Sequence, residues 1–304
     1  MTYPIDISGV TKRYGDIVAL DNVDIRVEIG ELFGLIGPDG AGKSSLYMIL
    51  ATLLAPDSGT ATVCGLDTVK DFRQLRTRIG YMPEKFSLYQ DLTVAENLKF
   101  FANIFGVSVK DNYDFIAPIF GQLEKFPTRL AGALSGGMKQ KLALGCALIH
   151  KPDILLLDEP TTGVDAVSRS ELWDMLTVLK KKGITIMVST SYMDEVSRCD
   201  RIAMMNQGKI LATDTTANLL KQVGGNLYAA VASDMFRLLK LLRLLPQVID
   251  CYTFGATLHV VGSHDFNTRS IMAILEKEGV ADTKIYPIKG DIEDLFIKLT
   301  SNGG

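Results

Sequence analysis

Residues 37–44 read Gly37-Pro38-Asp39-Gly40-Ala41-Gly42-Lys43-Ser44, which fills every fixed position of G-x-x-x-x-G-K-S. Glycines at this spacing let the backbone curl until its N–H groups point inward, as phosphate oxygens require. The start of the helix predicted after it adds partial positive charge. Lys43 is placed to reach the terminal phosphates, and the Ser44 hydroxyl to ligate Mg²⁺. A chance glycine-rich turn would not come with an apolar run before it and a helix after it. The loop alone says nucleotide binding, which kinases, GTPases and motors share.

Two further stretches could do chemistry. Asp158 and Glu159 end the apolar run ILLLDEP. An aspartate there can hold magnesium through water. A carboxylate beside it can polarise an attacking water as a general base. The plainer role for both acids is to cap the turn before Pro160. LSGGMKQ, residues 134–140, places Ser135-Gly136-Gly137 at a helix start, a second anion-binding site. One chain does not need two phosphate cradles for one nucleotide. Two chains arranged head to tail would use both, each closing the other's site.

The elements that must carry these residues follow from pattern. ISGV and VDIRVEIG, with period-two alternation, predict antiparallel strands within residues 1–30. ELFGLIG is a short buried strand, and a helix is predicted from Lys43 to Leu54. Thr93 and Glu96 form a capping box for a helix with Val94, Leu98, Phe101 and Phe105 on one face. Ser135 is a good N-cap for a helix to about His150. DILLLD and ITIMVST read as buried strands, SELWDMLTVLKKKG as a helix stopped by Gly183, and RIAMMNQGKILAT as a hairpin turning at Asn206–Gly208. Composition changes near Gly224-Gly225. Beyond it the pattern predicts strands at 227–232, 247–254, 256–262 and 282–288, with helices at 234–245, 267–279 and 291–300. That βαββαβ order suggests a small ferredoxin-like domain. Its first helix, MFRLLKLLRLL, carries Arg237, Lys240 and Arg243 along one stripe, and reads either as packed on its own sheet or as a membrane-surface helix.

With these motifs in order, residues 3–222 resemble the ATP-binding cassette (ABC) ATPases. The resemblance implies an α/β P-loop NTPase fold: a mixed sheet with an antiparallel β subdomain and a helical subdomain near 85–150, in a cassette of residues 1–224. The small α+β domain would occupy 225–304. It implies that Tyr14 stacks on adenine, unless it is an ordinary strand-end tyrosine. It implies that Gly37, Asp39, Gly40, Ala41, Gly42, Lys43, Ser44 and Ser45 hold ATP, and that Ser135, Gly136 and Gly137 form the signature motif. Asp158 then corresponds to the magnesium aspartate, Glu159 to the catalytic glutamate, and Gly163-Val164-Asp165 to the loop that communicates across the dimer. GPDGAGKSS, GYMPEKFSLYQDLTVAENL, RLAGALSGGMKQKLALGCAL and STSYMDEV look like the multidrug-export branch, and like the first cassette of tandem-cassette exporters in particular.

Two positions depart from the family pattern. Glu84 stands where glutamine is usual; it keeps an oxygen for magnesium but adds negative charge near the γ-phosphate, or turns away. Ser191 stands where a histidine usually contacts the γ-phosphate and orders the catalytic glutamate. A serine hydroxyl is shorter and carries no charge near neutral pH. Either water or a neighbour replaces the histidine, or this cassette hydrolyses weakly and supports closure while a partner cassette turns over.

Bulk properties narrow the class. The chain has 304 residues, 47% hydrophobic and 22% charged, with a formal net charge of −3. That balance, one cassette and no basic tail argue against a nucleic-acid partner. The four cysteines and three histidines show no ligand spacing, and the cysteines suit a reducing cytosol. No secretory signal or stretch of about 18 consecutive apolar residues is present. The expected partners are transmembrane permease subunits and a second cassette, at the cytoplasmic face of a membrane. Phe86, Leu88 and Tyr89, in the loop after Glu84, read as a contact surface for the permease or as local packing.

Overall fold

The computed structural model describes residues 3–85 and 88–301, in two compact units, Met1–Thr216 and Ala217–Gly304. In the first unit, β1 (Ile5–Tyr14) and β2 (Ile17–Val27) pair antiparallel, as their alternation requires. A second sheet begins with β3 (Leu32–Ile36), whose five residues are all buried and which leads into α1 (Lys43–Leu50). The helix is four residues shorter than predicted. Ala51 closes it and Thr52 turns out with φ +62°, a left-handed conformation that no helix continues through.

The next segment carries no predicted element. It forms β4 (Ser58–Val63) and β5 (Leu66–Asp67), which extend the first sheet to the order β2-β1-β4-β5, then α2 (Phe72–Leu75) and β6 (Ile79–Met82). The helical region holds α3 (Val94–Ile104), with the Thr93–Glu96 capping box in place, α4 (Val109–Phe120) and α5 (Gly136–Leu148), N-capped by Ser135. Asn97 is buried and bonds to Tyr89 N, Tyr89 O, Leu92 O and Thr93 O, which fixes the chain entering α3.

The remaining elements complete the second sheet. They are β7 (Ile154–Leu157), α6 (Ala166–Lys181), β8 (Thr185–Thr190), β9 (Arg201–Asn206) and β10 (Lys209–Asp214), followed by α7 (Thr216–Lys221). The strand order is β10-β9-β3-β8-β7-β6. All neighbours are parallel except the β9–β10 hairpin, and β3, β7 and β8 are buried along their whole length, as parallel strands covered on both faces should be. The register places Ile36 beside Thr190, Val188 beside Leu157 and Leu157 beside Met82. The residues after β3, β8, β7 and β6 therefore leave the sheet along one edge. That is the carboxyl edge, where ligands bind in such sheets.

The second unit contains β11 (Leu227–Val231), α8 (Met235–Arg243), β12 (Val248–Phe254), β13 (Thr257–Gly262), α9 (Thr268–Lys277), β14 (Lys284–Pro287) and α10 (Ile292–Ser301). Its sheet has the order β12-β13-β11-β14, antiparallel throughout. Leu238 and Leu242 of α8 are buried in the core with Ala230, Leu258 and Val260. Arg243 Nε donates to Cys251 O, and Arg237 Nη2 to Glu278 O. The basic stripe thus turns partly onto this unit's own carbonyls, which answers the question left by its sequence in favour of packing on its own sheet.

Candidate functional site: a nucleotide cradle at the sheet edge

The loop between β3 and α1 begins at Gly37 and ends at Gly42, the N-cap of α1. Gly42 has φ +109°, and a Cβ there would overlap the Ala19 carbonyl, so only glycine fits. No side chain caps α1, and its first turn holds no acid. The helix therefore presents its orphan N–H groups and positive dipole end to whatever enters the loop. Pro38, Asp39 and Gly40 are exposed at the mouth, and Ala41 is buried beneath. This arrangement fits a polyphosphate.

Lys43 is buried and curls back over the loop. Its Nζ donates to Gly37 O at 2.6 Å and Pro38 O at 3.0 Å, and lies 3.0 Å from Glu159 Oε1. Glu159, also buried, has φ +49°. A non-glycine residue in the left-handed region costs about 1–3 kcal/mol and persists only where its surroundings impose it. Here they do. Glu159 N–H donates to Ser189 Oγ at 2.9 Å, and its Oε2 accepts Ser191 N–H at 3.1 Å, Ser191 Oγ at 3.4 Å and Thr162 Oγ1 at 3.3 Å. Ser191 therefore orients the carboxylate from its backbone and its hydroxyl, which is part of what a histidine would do there.

Asp158 sits beside it, buried. Ser189 Oγ donates to Asp158 Oδ1 at 2.7 Å, and the Ser44 hydroxyl bonds to the same carboxylate. Burial pushes the Asp158 carboxyl above its ordinary pKa, against the pull of those two hydroxyls and of Lys43. A buried carboxylate next to a hydroxyl is an oxygen-only donor set suited to a hard cation. The sequence marks Ser189 only as one of three hydroxyl residues at the end of ITIMVST and assigns it no role. Its position on the strand end, facing the neighbouring strand's acids, shows only in the β7–β8 register.

Tyr14 ends β1 and is 45% exposed, with its hydroxyl 3.4 Å from Ser45 Oγ in the first turn of α1. Its ring is thus held beside the cradle and still open to a base. Ser135 and Gly136 are exposed at the start of α5, and Gly137 is buried against α6, where a Cβ would overlap Ser168 Oγ. Ser168 Oγ in turn donates to Asp165 Oδ2 at 2.7 Å. Asp165 is the N-cap of α6, which starts at Ala166 rather than within SELWDM because Asp165 accepts from Val167 N and Ser168 N. The signature residues and Asp165 thus form one group, and the phosphate loop, Asp158, Glu159 and Ser191 another. Glu84 lies just past β6 and is exposed. In the loop after it Leu88 is only 6% exposed and belongs to the packing rather than to a contact surface; Tyr89 is exposed and Phe86 lies outside the described residues.

Comparison with known proteins agrees with this geometry. Residues 20–162 match the family model described as ABC transporter. The chain is 39% identical over 306 residues to "Probable multidrug ABC transporter ATP-binding protein YbhF" of Escherichia coli (strain K12), a match covering 99% of this chain and 52% of that protein. The chain thus spans about half the length of that relative. It is 36% identical over 308 residues to Nod factor export ATP-binding protein I of Burkholderia orbicola (strain AU 1054), covering 98% of this chain and 97% of that one. The solved dimeric structure of an ATP-binding cassette in a post-hydrolysis state, bound to ADP and Pi, matches 69% of this chain and 98% of its own with a TM-score of 0.63 and 26% identity. With a cradle, an acid pair and a glycine-led helix in this order, and a relative matched at 36% identity over 97% of its length, the chain belongs to the ATP-binding proteins of the ABC transporter family.

Proposed function

We propose that this chain binds and hydrolyses Mg²⁺-ATP to drive export through separate transmembrane subunits. The observation that carries it is the meeting of Lys43, Asp158 and Glu159 at the end of one sheet, beneath an uncapped helix N-terminus. The loop amides, α1 and Lys43 bind the phosphates, and Tyr14 takes the adenine. Ser44 and Asp158 would hold magnesium, which when bound neutralises phosphate charge; Glu84 is a candidate further oxygen donor. Glu159 takes a proton from water as its oxygen attacks the γ-phosphorus, and the bond to the ADP oxygen breaks. Ser135, Gly136 and Gly137, with Asp165, face a second cassette in this reading and complete its site.

The permease contact is assigned to a groove of about 260 Å³ between the sheet and the helical region, lined by Leu53, Tyr81, Phe101, Ile104, Phe105 and His150. Leu53 and Ile104 are each 59% exposed. Burial holds the His150 pKa down, and its Nε2 lies 3.1 Å from Ile79 O. Its Nδ1 is buried with no hydrogen-bond partner among the described residues, and its ring stacks on Phe105 at 3.7 Å, so His150 forms part of the groove's floor. Among the described residues no helix is long and apolar enough to cross a membrane. The reading puts the chain at the cytoplasmic face because an ATP-driven subunit must meet both its permease partner and cellular ATP. ATP binding and turnover measured separately on the purified chain test the enzyme half of the proposal. Charge substitutions at Leu53 and Ile104 test the other half: they should release the chain from membranes while leaving ATP binding intact.

A further inference from the structure

Glu195 lies in the short helical turn after β8, 7% exposed, and touches neither the phosphate loop nor Asp158 by any contact the structure shows. Its Oε2 accepts Thr190 Oγ1 at 2.7 Å and Thr161 Oγ1 at 3.0 Å. Both threonines are essentially inaccessible. Thr161 is two residues beyond Glu159, and Thr190 immediately precedes Ser191. One carboxylate oxygen therefore joins the two loops whose other ends meet at the catalytic glutamate. Thr190 Oγ1 also accepts Tyr192 N–H at 3.0 Å, which fixes the chain on the far side of Ser191. Glu195 Oε1 lies 3.8 Å from Arg169 of α6, and the Arg169 guanidinium sits 4.8 Å over the Tyr192 ring. The same helix α6 is N-capped by Asp165 and packs against Gly137 through Ser168.

A buried carboxylate is a costly way to hold two loops together, since hydrophobic packing would do it with less desolvation. What a carboxylate adds is direction: one oxygen orients two hydroxyls, and the other faces a guanidinium at 3.8 Å. We infer that Glu195 is a positioning residue for hydrolysis, keeping the Glu159 and Ser191 loops in register and tying them through Arg169 to α6, the helix that carries Asp165 and backs the signature glycine. The inference rests on the ATPase reading above. A displacement of α6 by a neighbouring cassette would reach Glu159 along this connection, through the Arg169–Glu195 charge contact at 3.8 Å and then through the two threonine hydroxyls that Glu195 Oε2 accepts.

The test uses the purified full chain, with ATP turnover, nucleotide affinity and thermal unfolding measured for wild type, Glu195→Ala, Glu195→Gln and Thr190→Val. Misplacement of a catalytic group by about 1 Å costs on the order of 100-fold in rate. Glu195→Ala should lower kcat about tenfold or more while ATP affinity stays within about twofold. Glu195→Gln keeps an oxygen for both threonines and should recover much of that loss. Thr190→Val, near-isosteric, should lower kcat in the same direction and supplies the answer if Glu195→Ala does not fold. Combined with Glu195→Ala, it should add less than its separate effect. Unchanged kcat in Glu195→Ala and Thr190→Val would overturn the inference, and so would kcat and affinity falling together in proportion to lost stability. A wild-type chain that binds no ATP would overturn the ATPase reading itself, and the inference with it.

Discussion

The Lys43 ammonium lies 3.0 Å from Glu159 Oε1, with both side chains buried. The cation that should hold the γ-phosphate and the base that should activate water are therefore partners of one another, and ATP and Glu159 compete for one ammonium. Glu159→Gln weakens that competition and removes a negative charge from beside the phosphate. It should tighten ATP binding and lower turnover by about 100-fold or more, the usual contribution of a general base. Equal loss of affinity and turnover would show that Glu159 holds the site together rather than acting on water.

Tyr14 is fastened to α1 through Ser45 and half exposed. Tyr14→Ala should weaken ATP binding about fivefold to 100-fold, the range for loss of one base–aromatic stack, and Tyr14→Trp should preserve it. Affinity for tripolyphosphate should be unaffected in both. If tripolyphosphate and ATP binding fall alike in Tyr14→Ala, the residue supports the loop and does not stack on the base.

Ser191 reaches Glu159 but is too short to do everything a histidine could, and Glu84 adds charge where glutamine is usual. Turnover in the wild type should accordingly be slow with ordinary nucleotide affinity. Ser191→His with Glu84→Gln should raise it about tenfold or more. The two changes belong in single and combined form, since neighbouring catalytic groups do not act additively. Wild-type turnover as fast as that of the double variant would mean that Ser191 already supplies what the histidine would.

Burial raises the Glu195 pKa above its ordinary value of 4.5, outweighing the Thr190 and Thr161 hydroxyls and the charge of Arg169. A folded-state pKa above the unfolded one means the folded chain holds the proton longer. Stability from the protonated form is then lost as pH rises from the ordinary value through the raised one. Glutamine does not titrate. The melting temperature of the wild type relative to Glu195→Gln should therefore fall as pH rises from about 4.5 to about 7. A difference that is constant or grows over that interval would contradict the sign.

Much of this site was legible because its chemistry is local in sequence. The phosphate loop is eight consecutive residues, Asp158 and Glu159 are adjacent, and the Thr93–Glu96 box and the Ser135 cap are short-range signals that the structure reproduces. What stayed hidden depends on strands far apart in the chain. Ser189 reaches Asp158 because β8 lies beside β7, and Glu195 reaches Thr161 for the same reason; neither pairing leaves a periodic trace. For Leu88 the sequence leaves contact surface and local packing open, because a bulky apolar side chain in a loop looks the same whether it faces inward or outward, and its 6% exposure selects packing. The apolar pattern places the start of α6 at SELWDM, whereas Asp165, which the resemblance assigns to a dimer loop, is also its N-cap and starts the helix four residues earlier.

The central claim is that one cradle, built on Lys43 and served by Glu159, binds ATP and cleaves it. Its most direct test is phosphate release from ATP by the purified wild-type chain with Mg²⁺, set against Lys43→Ala under the same conditions. The account predicts slow, sustained release from the wild type. It predicts none above background from Lys43→Ala, whose ATP affinity should drop about tenfold to 100-fold with the loss of a charged hydrogen-bond donor. Phosphate release that persists unchanged in Lys43→Ala would contradict it.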